Sequence, residues 1–187
     1  MVKIDRVSTR GGDGGETSLA NGARVAKDST RIEAIGAVDE ANAVIGILRL
    51  HTRDAPAADA MLGRIQNDLF DLGADLAVPG AAGQRLRLAE AQCARLEAEI
   101  AALNADLAPL TSFILPGGSP AAAHAHLART VIRRAERWVV RLTAQEAVNP
   151  VLVRYLNRLS DHLFVLSRAL NTPHQDVLWV PGAHRAP

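Results

Sequence analysis

Apolar residues recur along this chain in steps of three and four, and the steps mark out one helix after another. Ile35, Val38, Ile45 and Leu48 share one face of a helix opening between residues 30 and 38, where Thr30 and Glu33 have the spacing of a capping box. Leu62, Ile65, Leu69, Leu72 and Leu76 follow Pro56 in a second helix that stops at Val78, Pro79 and Gly80. Cys93, Leu96, Ile100, Leu103 and Leu107 repeat the pattern in a third. A fourth runs from about Ala121 to Glu146, with Leu127, Val131, Ala135, Trp138 and Leu142 as its core stripe. Asn149 and Pro150 give N-cap and N1 signals for a fifth, whose Leu152, Leu156, Leu159, Leu163, Leu166 and Leu170 keep heptad spacing. Residues 109–120, PLTSFILPGGSP, form a link whose apolar residues pattern as buried, and only the residues before 30 read as extended. The expected fold is all-α: an antiparallel bundle of four or five helices with an ordered glycine-rich N-terminal segment. The expected organisation is one domain over 1–187, with an N-terminal segment 1–29, a bundle 30–171 and a tail 172–187.

Composition narrows the function classes. The chain has 187 residues, 48% hydrophobic and 22% charged, which suits one globular domain with a proper core. Its 21 basic and 20 acidic side chains leave a net charge of +1, so bulk charge gives no case for nucleic acid or an anionic membrane. Any phosphate binding has to come from local placement. The single cysteine, Cys93, lies on an apolar stripe, which favours core packing over reactivity and fits a reducing compartment. No apolar run approaches the ~18 residues of a membrane span, and the first ten residues carry no signal-type apolar region. The expectation is a cytoplasmic protein.

Candidate chemistry gathers in three places. Residues 8–19, STRGGDGGETSL, hold four glycines among hydroxyl side chains, a composition for a backbone that must approach a ligand closely. On the fourth helix Arg129, Arg133, Arg137 and Arg141 recur at every fourth position, with Arg134 off that stripe and only Glu136 to compensate. Like charges at this spacing repel by about 0.2–0.5 kcal/mol per pair. So one-sided a row fits an anion, or carboxylates from another element, better than a solvated face. The fifth helix places Asn157 and Asp161 off its leucine seam, and Asp39 and Glu40 stand on the first helix. Metal and nucleotide signatures are missing. His124 and His126 diverge on a helix, and neither HExxH, Glu-x-x-His, GxxxxGK[ST] nor GxGxxG occurs.

TRGGDGGETSL, then Lys27, AIGAVDE, FILPGG, RTVIRRAER and YLNRLSD, in this order from about residue 4 to residue 171, resemble the ATP:cob(I)alamin adenosyltransferases of the propanediol-utilisation type. The resemblance implies a five-helix bundle assembled as a homotrimer, with active sites between subunits. It implies transfer of the 5′-deoxyadenosyl group of ATP to cob(I)alamin, with release of triphosphate and with Mg²⁺ as cofactor. Thr9, Arg10, Gly11, Gly12, Thr17 and Ser18 would wrap the triphosphate with Lys27 on its phosphates. Arg133, Arg134, Ala135, Glu136 and Arg137 would contact ATP, Asn157 its nucleoside end, and Asp39 would pair with Arg129 across the interface. Phe113 would lie beneath the corrin ring, so that Arg133, Lys27 and Phe113 carry the catalysis. A cob(II)alamin reductase and an adenosylcobalamin-dependent enzyme are the implied partners. Gly11 stands where the family usually has threonine, Gly14 where it usually has a polar residue, and HQDVLWVPGAHRAP at the end has no firm match. A non-catalytic module delivering nucleotide or cobalamin to a mutase, and a purely structural bundle, are the alternatives.

Overall fold

The computed structural model describes residues 8, 10–80, 86–171 and 176–185. A short antiparallel hairpin comes first, β1 (Glu16–Ser18) and β2 (Arg24–Ala26), with Thr17 opposite Val25. Five helices follow: α1 (Thr30–Arg49), α2 (Pro56–Leu76), α3 (Glu90–Asn104), α4 (Pro120–Thr143) and α5 (Pro150–Ala169). α1 packs between α2 and α4, and α5 packs between α4 and α3. The bundle has five helices, within the four or five that the apolar spacing predicts and the number that the resemblance implies.

Proline opens three of the helices, where its missing N–H costs no hydrogen bond and its fixed φ is already helical. Asn149 caps α5 as expected, its Oδ1 accepting from Val151 N at 3.1 Å. Ser119 does the same for α4, its Oγ accepting from Ala122 N at 3.1 Å. The Thr30–Glu33 capping box does not form. Thr30 is already helical, and the N-cap is Ser29, whose side chain makes no capping bond. α3 ends at Asn104, which leaves Leu107 beyond it, and α4 ends at Thr143 rather than Glu146.

The leucines of α2 and most of those of α5 are buried, as their spacing requires. α4 departs from expectation. Leu127 is 48% exposed and Trp138 is only half-buried, with the Arg141 guanidinium 5.3 Å from its ring. The buried face of α4 is instead dominated by small side chains: Ala121, Ala122, Ala125, Ala128 and Ala135, with Val131, Ile132, Val139 and Leu142. α1 buries Ala34, Ala37 and Ala41 in the same manner. Side chains this small let neighbouring helix backbones approach closely.

Polar groups join the elements inside. Arg31 at the start of α1 is buried and donates to Glu146 Oε2 at 2.6 Å and to Leu76 O at 2.5 Å. Tyr155 is fully buried on α5, its hydroxyl donating to Asp68 Oδ2 at 2.8 Å, and Arg95 of α3 pairs with the same carboxylate. Burial and the Asp68 charge push the Tyr155 phenol well above its ordinary range, so it stays a donor. Glu99 of α3 accepts from Arg64 of α2 at 2.6 Å and contacts the buried His162 of α5 at 2.9 Å.

The 109–120 link is a loop, as read, but its apolar residues are not buried. Phe113 is 77% exposed, and Leu110 and Leu115 are also exposed. The loop is ordered by backbone pairing instead, through a bridge between Ile114 and Leu178 of the tail.

Candidate functional site

The glycine-rich segment folds as consecutive turns leading into β1. Asp13 N donates to Arg10 O and Gly15 N to Gly12 O, each at 3.2 Å, and Lys27 N closes on Gly15 O at 2.9 Å. Arg10 adopts φ +59° and Gly15 φ +84°, the left-handed backbone such turns need. Arg24 fastens the loop from β2, its Nη2 donating to Gly11 O at 2.8 Å and its Nη1 to Ser18 Oγ at 3.1 Å. Lys27 lies back over the loop. A Cβ on Gly12 would stand only 2.9 Å from Lys27 Nζ, so Gly12 is what lets the ammonium rest against the backbone. The result is a tight turn with a positive charge lying against it, suited to phosphate oxygens. Of the predicted wrap, Arg10, Gly11, Gly12, Thr17, Ser18 and Lys27 are in this unit; Thr9 lies outside the described residues.

The hairpin docks on the bundle through buried Leu19 and through Ala20 N, which donates to Ala77 O at 3.1 Å. A cavity of about 530 Å³ opens beside it, lined by Thr17, Ser18, Ile35, Asp39, Phe70 and Gly73 among others. Asp39 therefore faces the same cavity as the hydroxyls of β1.

The α4 residues divide. Arg133 and Arg137 are exposed on one face, with Arg137 Nη1 donating to Arg133 O at 3.1 Å. Glu136 Oε1 accepts from Asn157 Nδ2 at 3.0 Å, which brings the predicted nucleoside residue of α5 to the predicted carboxylate of α4. Both line a second cavity of about 420 Å³, with Cys93, Glu97 and Val153. Arg134 is turned toward α1 and pairs with Glu40. Ala135 is fully buried, so its side chain belongs to the core and not to the arginine face. Burial pushes the Cys93 thiol up, in keeping with its reading as a packing residue.

Arg129 is half-buried, and its Nε is buried with no hydrogen-bond partner. Burial first, and then the neighbouring Arg133 charge, hold it below its ordinary pKa. A guanidinium in that position calls for a carboxylate. Among the described residues of one chain, Asp39 forms no ion pair with it; Asp39 is exposed on α1. Next to Arg129, His126 is buried edge-on to Phe164, its Nδ1 unpartnered. Burial, then the Arg129 charge, keep its imidazole on the neutral side.

Phe113 is presented to solvent on its loop, with the Trp179 ring 6.1 Å away. Trp179 N donates to Phe113 O at 2.7 Å and Leu115 N to Val177 O at 2.9 Å, so the tail runs beside the loop as a second strand. This partnership escaped the sequence reading. The signal available for it was the apolar run Val177, Leu178, Trp179 and Val180, bounded by Pro181, which has the length and content of a short strand.

The described residues contain no group of three or more His, Cys, Asp or Glu side chains placed to hold a metal ion. The arrangement offers a cationic loop, a cationic helix face and an apolar platform. Such surfaces suit charged groups and flat apolar ones.

The sequence model of the cobalamin adenosyltransferase family matches residues 7–170. A corrinoid adenosyltransferase of Mycobacterium tuberculosis strain H37Rv is 49% identical over 190 residues, covering 98% of this chain and 97% of that protein. A cobalamin adenosyltransferase of Cupriavidus metallidurans is 51% identical over 180 residues, covering 95% of each. Among solved structures, a variant PduO-type ATP:corrinoid adenosyltransferase from Lactobacillus reuteri, complexed with cobalamin and ATP, superposes with a TM-score of 0.87. It is 32% identical, with 93% of this chain and 99% of that one covered. By sequence across nearly its whole length, and by fold, the chain belongs to the cobalamin adenosyltransferase family.

Proposed function

We propose that the protein transfers the 5′-deoxyadenosyl group of ATP to cob(I)alamin, in active sites completed between copies of the chain. The observation that carries the intersubunit site is a separation. Thr17 and Ser18, on the strand that follows the glycine-rich turns, line one cavity with Asp39, Glu136 and Asn157 line another, and Arg129 has a buried, unpartnered Nε. Pairing Asp39 of one protomer with Arg129 of the next joins the two halves. Arg133 follows Arg129 by one helical turn, about 6 Å along the axis, so the docked helix would bring Arg133 and Arg137 toward the glycine loop. A closed ring of such head-to-tail contacts is a cyclic oligomer, and a homotrimer is the proposed state.

In the reaction, the Co(I) electron pair of cob(I)alamin attacks C5′ of ATP. A Co–C bond forms, the C5′–O bond breaks, and inorganic triphosphate leaves with the electron pair. Co(I) is nucleophilic enough that no protein base is required. The chain's task is alignment and charge. The turns at residues 10–15, Lys27, Arg133 and Arg137 hold the triphosphate and stabilise the charge that grows on it as it leaves. Asn157, braced by Glu136, fixes the nucleoside end. The protein carboxylates form no resident metal site among the described residues, so Mg²⁺ would arrive on the phosphate oxygens. The Phe113 ring stands free of the core, and beneath the corrin it would keep a lower ligand off cobalt and ease reduction from Co(II). A cob(II)alamin reductase and an adenosylcobalamin-dependent enzyme are the proposed partners. No helix among the described residues is long and apolar enough to cross a membrane, and the proposed location is the cytoplasm.

The test is turnover. ATP and chemically reduced cobalamin are mixed with the protein and the loss of Co(I) absorbance is followed. Lys27→Ala and Arg133→Ala should each lose about tenfold or more, the equivalent of one charge-assisted hydrogen bond of about 1.5–3 kcal/mol. ATP binding without turnover would instead identify a carrier, and wild-type kinetics in either variant would remove that residue from the mechanism.

A further inference from the structure

The loop bearing Phe113 and the tail beside it form a two-stranded platform that little apolar burial holds in place. Phe113, Leu115, Val177, Leu178, Trp179 and Val180 are all exposed. The strands are tied to each other by backbone bonds and by Ser112 Oγ, which donates to Trp179 O at 2.7 Å. The attachment to the bundle is polar, and it converges on Asp176, one residue before the paired stretch. Asp176 Oδ2 accepts from Arg168 Nε at 2.9 Å, and its Oδ1 accepts from Asn171 Nδ2 at 3.2 Å.

Both partners reach on to the flanks of the loop. Arg168 Nη2 donates to Ala108 O at 2.7 Å, before the loop. Asn171 Oδ1 accepts from Ser119 N at 3.0 Å, after it, and Ser119 Oγ donates to Leu170 O at 3.0 Å. The Arg168 and Asp176 side chains are 9% and 16% exposed, so the pair is largely shielded from water and ions. Gly118 is shaped to the same contact. It has φ +95°, and any Cβ there would collide with the Asn171 amide.

We infer that Asp176 is a positioning residue for the cobalamin half of the reaction. Through Arg168 and Asn171 it locks loop and tail to the end of α5 and so sets the height and angle at which Phe113 meets the corrin. The inference rests on the proposed role of Phe113. The ATP half stands apart: neither cavity near the glycine loop or Asn157 is lined by a residue of this latch.

The chain has two tryptophans, so a Trp138→Phe background leaves Trp179 as the only indole and makes the platform visible by fluorescence. In that background Asp176→Ala should red-shift Trp179 emission and raise its quenching by acrylamide, with helical circular dichroism retained. It should raise the KM for cobalamin about tenfold while the KM for ATP stays within about twofold. Asp176→Asn keeps an acceptor for Asn171 but no charge for Arg168, and should fall between. Unchanged emission together with an unchanged cobalamin KM overturns the inference, as does an equal rise in both KM values with loss of helix signal. A wild-type chain that shows no turnover removes the functional reading, and the corrin role with it, while the emission shift reports on the latch separately.

Discussion

One methyl group on the glycine loop tests how the triphosphate is held. In Gly12→Ala the new Cβ would lie 2.9 Å from Lys27 Nζ and 3.1 Å from Lys27 Cε, with Glu16 O 3.4 Å away. Comfortable contact is about 3.5–4.0 Å, so the ammonium must retreat by up to about 1 Å. Gly12 does not have positive φ, so alanine adds no backbone strain, and the lysine stem is flexible enough to move at little cost to folding. Function is another matter. Complete loss of a charge-assisted hydrogen bond is worth about 1.5–3 kcal/mol, or about 10–150-fold in rate. A charge displaced by about 1 Å should reach much of that, so we expect kcat/KM for ATP to fall about 10–100-fold. Gly14→Ala is the matched control. Nothing lies within 4 Å of its Cβ, its φ is not positive, and it should stay within about twofold of wild type. Initial rates of Co(I) absorbance loss against ATP concentration, with calorimetric ATP affinities, read both variants. Wild-type kinetics in Gly12→Ala, or an equal loss in Gly14→Ala, would refute the placement of Lys27 on the phosphates.

Reversing either charge alone, Asp39→Arg or Arg129→Asp, should shift the light-scattering mass from trimer toward monomer, since an unmatched buried charge costs about 3–5 kcal/mol. The double exchange should restore more trimer and activity than either single change, and a fully active monomer contradicts the assembly. Phe113→Ala should leave stability within about 0.5 kcal/mol, because the exposed ring fills no core space. Its activity should collapse when a biological reductase supplies the electron and survive better with a strong chemical reductant; an unchanged four-coordinate Co(II) spectrum in the variant removes Phe113 from the mechanism. Glu99 supplies a pH test: burial raises its carboxyl pKa, but the His162 and Arg64 contacts more than offset this, and the net shift is downward. A depressed folded pKa stabilises above the unfolded value, and that contribution is lost as pH falls from about 4.5 through the folded pKa. Urea midpoints of Glu99→Gln should therefore depend less on pH in that range than wild type, and parallel curves would show that the carboxylate is not a stabilising ion there.

What the sequence revealed depended on contrast between neighbouring side chains. Leucine against charge is a sharp signal, and the seams of α2 and α5 were legible from spacing. Alanine gives no such contrast. The buried face of α4 runs through Ala121, Ala125 and Ala128, and the eye settles on Leu127, which is exposed. Tyr155 stayed hidden for a different reason: a tyrosine beside a leucine seam declares neither its burial nor a carboxylate 87 positions earlier in the chain. The pairing of Phe113 with Trp179 is similarly long-range, made by backbone groups that leave no periodicity. The glycine loop, the arginine row and Asn157 could be read, since composition and spacing carry their chemistry. That Lys27 lies over Gly12, and that Arg134 turns to Glu40, are matters of packing that only the fold displays.

The alanine-lined faces of α1 and α4 also bear on how copies of the chain could close into a ring. Asp39 stands on α1 and Arg129 on α4, so in the proposed trimer the rigid span between these two helices would be the ruler that fixes the angle from one protomer to the next. A cyclic trimer closes only if that angle returns to its start after three steps, and any error is tripled at the last joint. Long side chains between the helices would make the ruler soft, because their rotamers can trade one spacing for another. Alanine has no rotamers to trade. Enlarging Ala128 by even a few carbons would wedge the helices apart and alter the pitch of every joint at once, leaving an open string of subunits where a closed ring should be.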